Sequence, residues 1–246
     1  MLRREIWLLV MKELRQLTRN RNAAISAVLM PLIFLIVVPL IQISAAGSEP
    51  SGSGIRGTPL AGLNSIANTD QVFLYLVFPL FYTLCGLLTP GISATYTIVA
   101  EREQHTVELL MALPVTVRQI LIAKLTSNLV SAAAISLPFF AINAFMVQTR
   151  ADAGAAYILS ALVLLLCGLA CSVGIGLLLA LLARDVRTAG NLTPLWLFPT
   201  MALTGLVVVL VPGLWRFYVL GAILLLGLGI TLTICLRWLT FERFVA

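Results

Sequence analysis

AEREQHTVELLMALPVTVRQILIAK, residues Ala100 to Lys124, is a polar hinge caught between two long apolar runs. It holds three acids (Glu101, Glu103, Glu108), three basic residues (Arg102, Arg118, Lys124), the only histidine, His105, and a mid-segment proline, Pro114. The flanking runs, Val72 to Val99 and Leu125 to Val147, contain no Asp, Glu, Lys, Arg or His. Runs of that length are long enough to cross a hydrocarbon core of about 30 Å as helices. The hinge itself reads as helix, break, helix. Thr106 to Leu113 is a short helix-forming run that Pro114 ends, because proline lacks a backbone donor and restricts the residue before it. Thr116 with Gln119 then fits a capping box opening the next helix.

Working outward, 60% hydrophobic and 11% charged residues over 246 positions leave too little polar surface for a soluble domain. The fold class expected is an all-α polytopic membrane protein. Backbone groups in lipid must be satisfied within each segment, and the runs lack the alternating polarity of barrel strands. Six spans are read at about 23–43, 72–99, 120–147, 157–183, 191–211 and 217–236. Residues 44–71, rich in Gly, Ser, Asn and Pro, form an external loop too small to be a domain.

Residues 1–22 carry Arg3, Arg4, Lys12, Arg15, Arg19 and Arg21. At about 100° per residue, Leu2, Ile6, Trp7, Leu9, Val10, Leu14 and Leu17 share one face, opposite Arg4, Glu5, Lys12, Arg15, Gln16 and Arg19. Such a helix lies in the headgroup layer with its basic face toward anionic lipid. The basic region and the apolar run after it are too long for a cleaved signal peptide, so this helix belongs to the mature chain.

Basic residues gather on the cytoplasmic side of short loops. Placing the N-terminus, the hinge, the loop Arg184 to Arg187 and the C-terminus inside puts 13 Lys and Arg there and leaves Arg56, Arg150 and Arg216 outside. Topology and lipid contact thus account for the net charge of +6, and no nucleic-acid partner is needed. Gly168, Ser172 and Gly176 make a stripe of small residues for close helix approach, either within one subunit or between subunits.

Several functions lack their parts. Cys85, Cys167, Cys171 and Cys235 all fall in spans with no His, Asp or Glu beside them, so neither a metal site nor a disulfide framework is expected. Neither Lys12 nor Lys124 follows a glycine-rich phosphate loop. An intramembrane enzyme lacks a nucleophile with a matched base. A secondary transporter or channel not coupled to an ATPase is the alternative, with only the neutral Asn128, Asn143 and Thr83 to serve it.

Glu101-Arg102-Glu103, Thr106-Val107-Glu108-Leu109-Leu110-Met111-Ala112-Leu113-Pro114, Arg118-Gln119-Ile120 and Lys124 together resemble the hinge of permease subunits in type-2 ATP-binding-cassette exporters. Val10 to Gln16 followed by Arg19-Asn20-Arg21 is similar to the elbow helix of that family, and Pro199 to Gly205 to its motif in the fifth span. Two features depart from the pattern. His105 stands where the family usually has glycine, and Pro212 to Arg216 leaves little room for a re-entrant external segment.

The resemblance implies a permease that pairs with a copy of itself or a sister chain in the plasma (inner) membrane of a prokaryote, with both termini cytoplasmic. It implies separate cytoplasmic ATPase subunits carrying ATP and Mg, and no cofactor or enzymatic site in this chain. Glu101, Arg102, Glu103, Thr106, Val107, Glu108, Leu109, Leu113 and Pro114 would form the coupling element that seats in the ATPase. Arg4, Lys12, Arg15 and Arg19 would fix the elbow helix on lipid. The charge-free spans favour an amphipathic or lipid-like substrate, moved out of the cell.

Overall fold

The structure, a computed structural model, describes residues 11, 21–41, 73–103, 117–151, 153–182 and 186–238. The expected interfacial helix apart from Met11 and residues 21–22, the 44–71 loop and hinge residues 104–116 lie outside the described residues. Among the described residues six helical rods follow one another. We label them α1 (Arg21–Leu32, continued through a π-helical turn, Ile33–Val37, to residue 41) and α2 (a π-helical turn, Phe73–Val77, running on as Phe78–Glu103). The others are α3 (Val117–Ala151), α4 (Ala155–Leu182), α5 (Val186–Leu210) and α6 (Trp215–Trp238). The described residues contain no strand.

Among the described residues, four segments are long and apolar enough to cross a membrane: Phe73–Pro90, Lys124–Thr149, Ala155–Leu179 and Trp215–Cys235. Val28–Ile41 and Leu195–Leu210 are shorter apolar helices.

α4 sits at the centre. Ala161, Leu164, Leu165 and Leu169 on it are fully buried, and its main neighbours are α2 and α6. The α2–α4 contact is close because Gly86 and Gly168 face each other: a Cβ added at Gly86 would stand 3.0 Å from the Gly168 Cα. One turn along, the Ser172 hydroxyl donates to the Leu87 carbonyl. Of the two roles open to the small-residue stripe, Gly168 and Ser172 thus serve packing within the subunit. α5 lies mainly against α2 and leaves Leu195, Phe198 and Leu206 exposed.

Several positions differ from the sequence reading. α2 does not end at Val99 but carries Glu101, Arg102 and Glu103 as its last turn, since alanine, glutamate and arginine are good helix formers and no breaker intervenes. α3 runs through Ala151, so Arg150 lies on a helix rather than in an external turn. α5 starts at Val186, and Arg187 is helical. Arg216, expected in an external connection, occupies the first turn of α6 and is fully buried. The short connection before it turns on Gly213, whose φ of 61° is left-handed and favours glycine.

Candidate functional site

Of the coupling residues expected from sequence, Glu101, Arg102 and Glu103 are the end of α2. Phe78–Glu103 is an α-helix of 26 residues, about 39 Å at 1.5 Å per residue, which exceeds a hydrocarbon core of about 30 Å. Thr106, Val107, Glu108, Leu109, Leu113 and Pro114 lie outside the described residues, as do Arg4, Lys12, Arg15 and Arg19 of the elbow.

The opposite end of the bundle holds a constellation that sequence reasoning did not assemble. Its origin is two prolines. Proline has no N–H, so in an α-helix it leaves the carbonyl four residues earlier without its donor. Pro39 does this to Leu35, and Pro79 to Tyr75, whose neighbour in the same turn is Leu74. All three carbonyls lie in the two π-helical turns. In the first of these, Val38 N–H reaches back five residues to the Ile33 carbonyl.

Side chains from three other helices donate to these carbonyls. Asn143 on α3 donates from Nδ2 to the Leu35 carbonyl at 2.7 Å. The Tyr157 hydroxyl on α4 donates to the Leu74 carbonyl at 2.9 Å. Arg216 on α6 donates from Nη1 to the Tyr75 carbonyl. A buried carbonyl left without a partner in lipid costs several kcal/mol, and side chains of neighbouring helices are a usual way of meeting that cost at proline. A further cross-helix bond from side chain to backbone runs from Ser172 to Leu87.

Aromatic rings fill the space between the donors. Tyr157 meets Tyr75 edge-on at 5.8 Å and Phe217 at 5.2 Å, and the Arg216 guanidinium lies 5.4 Å from the centre of the Tyr75 ring. Deeper in, Tyr82 donates to Asn143 Oδ1 at 2.7 Å and packs on Phe140 at 5.8 Å. Asn143 therefore bridges α2 and α1 from α3. Tyr82, Asn143, Tyr157, Arg216 and Phe217 are each nearly or fully buried.

Two of the polar groups that a channel or secondary transporter would need are thereby committed to structural bonds. Thr83 donates to the Pro79 carbonyl of its own helix at 2.7 Å, and Asn143 holds α1 and α2. Among the described residues no group of three or more His, Cys, Asp or Glu could hold a metal ion. The signal for the network was present in Pro39 and Pro79: each proline inside a membrane helix calls for a donor elsewhere.

No curated protein and no solved structure matches the chain. A family model described as ABC-2 type transporter matches residues 4–220. That match covers most of the 246 residues and agrees with the apolar helices and the long α2 rod: the chain belongs to the ABC-2 type transporter family, as a membrane permease domain.

Proposed function

We propose that this chain is the permease subunit of an ATP-driven exporter in the plasma (inner) membrane of a prokaryote. It crosses the membrane six times with both termini cytoplasmic, pairs with a copy of itself or a sister chain, and is driven by separate ATPase subunits that hold ATP and Mg. Its substrate is amphipathic or lipid-like and moves outward. The family match carries the reading, and two further features support it. One is the absence of acid or histidine in the predicted spans, whose one lysine, Lys124, stands near the start of the third, which leaves ion coupling without its usual parts. The other is α2, a continuous helix that joins the proline-turn network at one end to Glu101-Arg102-Glu103 at the other.

In this reading Thr106 to Leu113 forms a short cytoplasmic helix seated in the ATPase, oriented by charged contacts from Glu101, Arg102, Glu103 and Glu108. Closure of the ATPase pair displaces the hinge and moves the second and third spans together as a lever between inward-open and outward-open states. Arg4, Lys12, Arg15 and Arg19 hold the elbow helix on the cytoplasmic leaflet.

The test is purification of the tagged chain from native membranes in mild detergent, with mass spectrometry of what accompanies it. A stoichiometric ATPase with a phosphate-binding loop is the expected result. A sister permease in the same complex would decide for a heterodimer. Recovery under several mild conditions without any nucleotide-hydrolysing partner would overturn the reading.

A further inference from the structure

Asn143, Tyr157 and Arg216 come from three different helices, yet each donates into one of the two π-helical turns. The helices they hold, α1 and α2, are those in which Pro39 and Pro79 interrupt the internal ladder. A helix bends where its ladder is broken, at proline and at π-helical turns. Each of these points therefore has a weakened backbone and an external clamp. Residues 75 to 89 of α2, ahead of Pro90, form about 21 Å of helix beyond the clamp at 1.5 Å per residue. A tilt of about 10° at the turn would carry the far end of that stretch about 4 Å.

We propose that Asn143, Tyr157 and Arg216 are positioning residues for the transport cycle: they turn the two proline turns into clamped pivots that keep this end of the bundle shut. Displacement of α2 trades the clamping bonds for water or for a re-formed helix turn, and the end opens. The interpretation as a transport step rests on the permease reading. The clamp itself is a property of this chain alone, so its test uses no ATPase and can fail independently of that reading.

Cys85, fully buried one turn below Tyr82, is the reporter, with Cys167, Cys171 and Cys235 replaced by serine. The chain in lipid nanodiscs is treated with a polar maleimide, and the labelling rate of Cys85 measures opening. Tyr157→Phe keeps the ring packing but removes the donor, and is expected to raise the rate by about 3- to 20-fold, the range measured for single hydrogen bonds between membrane helices. Asn143→Leu and Arg216→Gln act in the same direction.

Restoring the backbone donor reverses the effect. Pro39→Ala in the Asn143→Leu chain, and Pro79→Ala in the Arg216→Gln chain, should bring labelling back toward the parent rate. Hydrogen exchange of residues 33–41 and 73–82 should rise and fall with it. Ser172→Ala removes the cross-helix bond that ends outside a π-helical turn and should leave labelling unchanged. Labelling at the parent rate in Tyr157→Phe and Asn143→Leu, an equal rise in Ser172→Ala, or no rescue by the proline replacements would each overturn the proposal.

Discussion

Replacing Gly86 with alanine adds one methyl group where α2 and α4 touch backbone to backbone. The new Cβ would stand 3.0 Å from the Gly168 Cα, 3.1 Å from the Gly168 carbonyl carbon and 3.1 Å from the Leu165 oxygen. Carbon atoms pack best at about 3.5–4.0 Å, so the overlap to be relieved is about 0.5–1 Å. All three neighbours are backbone atoms of α4 and cannot rotate away. Relief requires separating the helices along their shared face, which also stretches the Ser172 to Leu87 bond. Overpacking of this kind costs about 1–3 kcal/mol.

The other glycines grade the prediction. At Gly168 the added Cβ is 3.2 Å from the Gly86 Cα and at least 3.6 Å from anything else, so alanine there costs less. At Gly174 the nearest atoms, Leu228 Cδ1 at 2.6 Å and Thr231 Oγ1 at 3.0 Å, are side-chain ends. They can move for about 0.5–1.5 kcal/mol of rotamer strain. Gly205 and Gly229 have nothing within 4 Å, and alanine there gains helix propensity of about 1 kcal/mol. Thermal unfolding of the five single alanine variants, purified in one detergent, reads the series. Gly86→Ala should melt lowest, by several degrees, and Gly205→Ala and Gly229→Ala at or above the parent. A Gly86→Ala protein as stable as Gly229→Ala would refute the backbone contact between α2 and α4.

Ser172→Ala, which deletes a buried interhelical hydrogen bond but adds no bulk, should cost about 0.6–1.7 kcal/mol in the same unfolding assay; a more stable variant would show that the bond contributes nothing. Glu108→Arg and Glu101→Arg should each uncouple ATP hydrolysis from transport in the assembled complex while leaving membrane yield unchanged, and retained coupling would remove that residue from the coupling element. Arg15→Glu with Arg19→Glu should lower membrane insertion and subunit pairing by reversing the charge that faces anionic lipid; normal yield and normal pairing would argue against the elbow role.

The helices were legible because their signal is coarse: long apolar runs, each bounded by charges or by loop residues, leave few alternatives in a bilayer. Helix ends were less legible. The span expected at 72–99 is shorter than the helix that carries it, because Glu101, Arg102 and Glu103 are themselves good helix formers and extend α2. Arg216 shows a different limit. A charge beside a short connection reads as a loop residue, but Arg216 is buried, its guanidinium over the Tyr75 ring and bonded to the Tyr75 carbonyl on a helix distant in sequence.

Local pattern cannot reveal such a partner, although Pro39 and Pro79 announce that partners are needed. The small-residue stripe of α4 was readable as a contact, and only the tertiary arrangement identifies Gly86 as what it meets. The coupling motif was the reverse case, legible by resemblance from Glu101 to Pro114 while its residues beyond Glu103 lie outside those described.

Coupling of the hinge to an ATPase is tested most directly by photo-crosslinking from single positions in the intact cell. A photoreactive side chain is placed in turn at Glu101, Thr106, Glu108 and Leu113, and at Ala155, which is exposed at the start of α4. Adducts from the four hinge positions to one nucleotide-hydrolysing protein, with none from Ala155, are the predicted result. Hinge positions that yield no such adduct, or yield it no more than Ala155 does, would contradict the account.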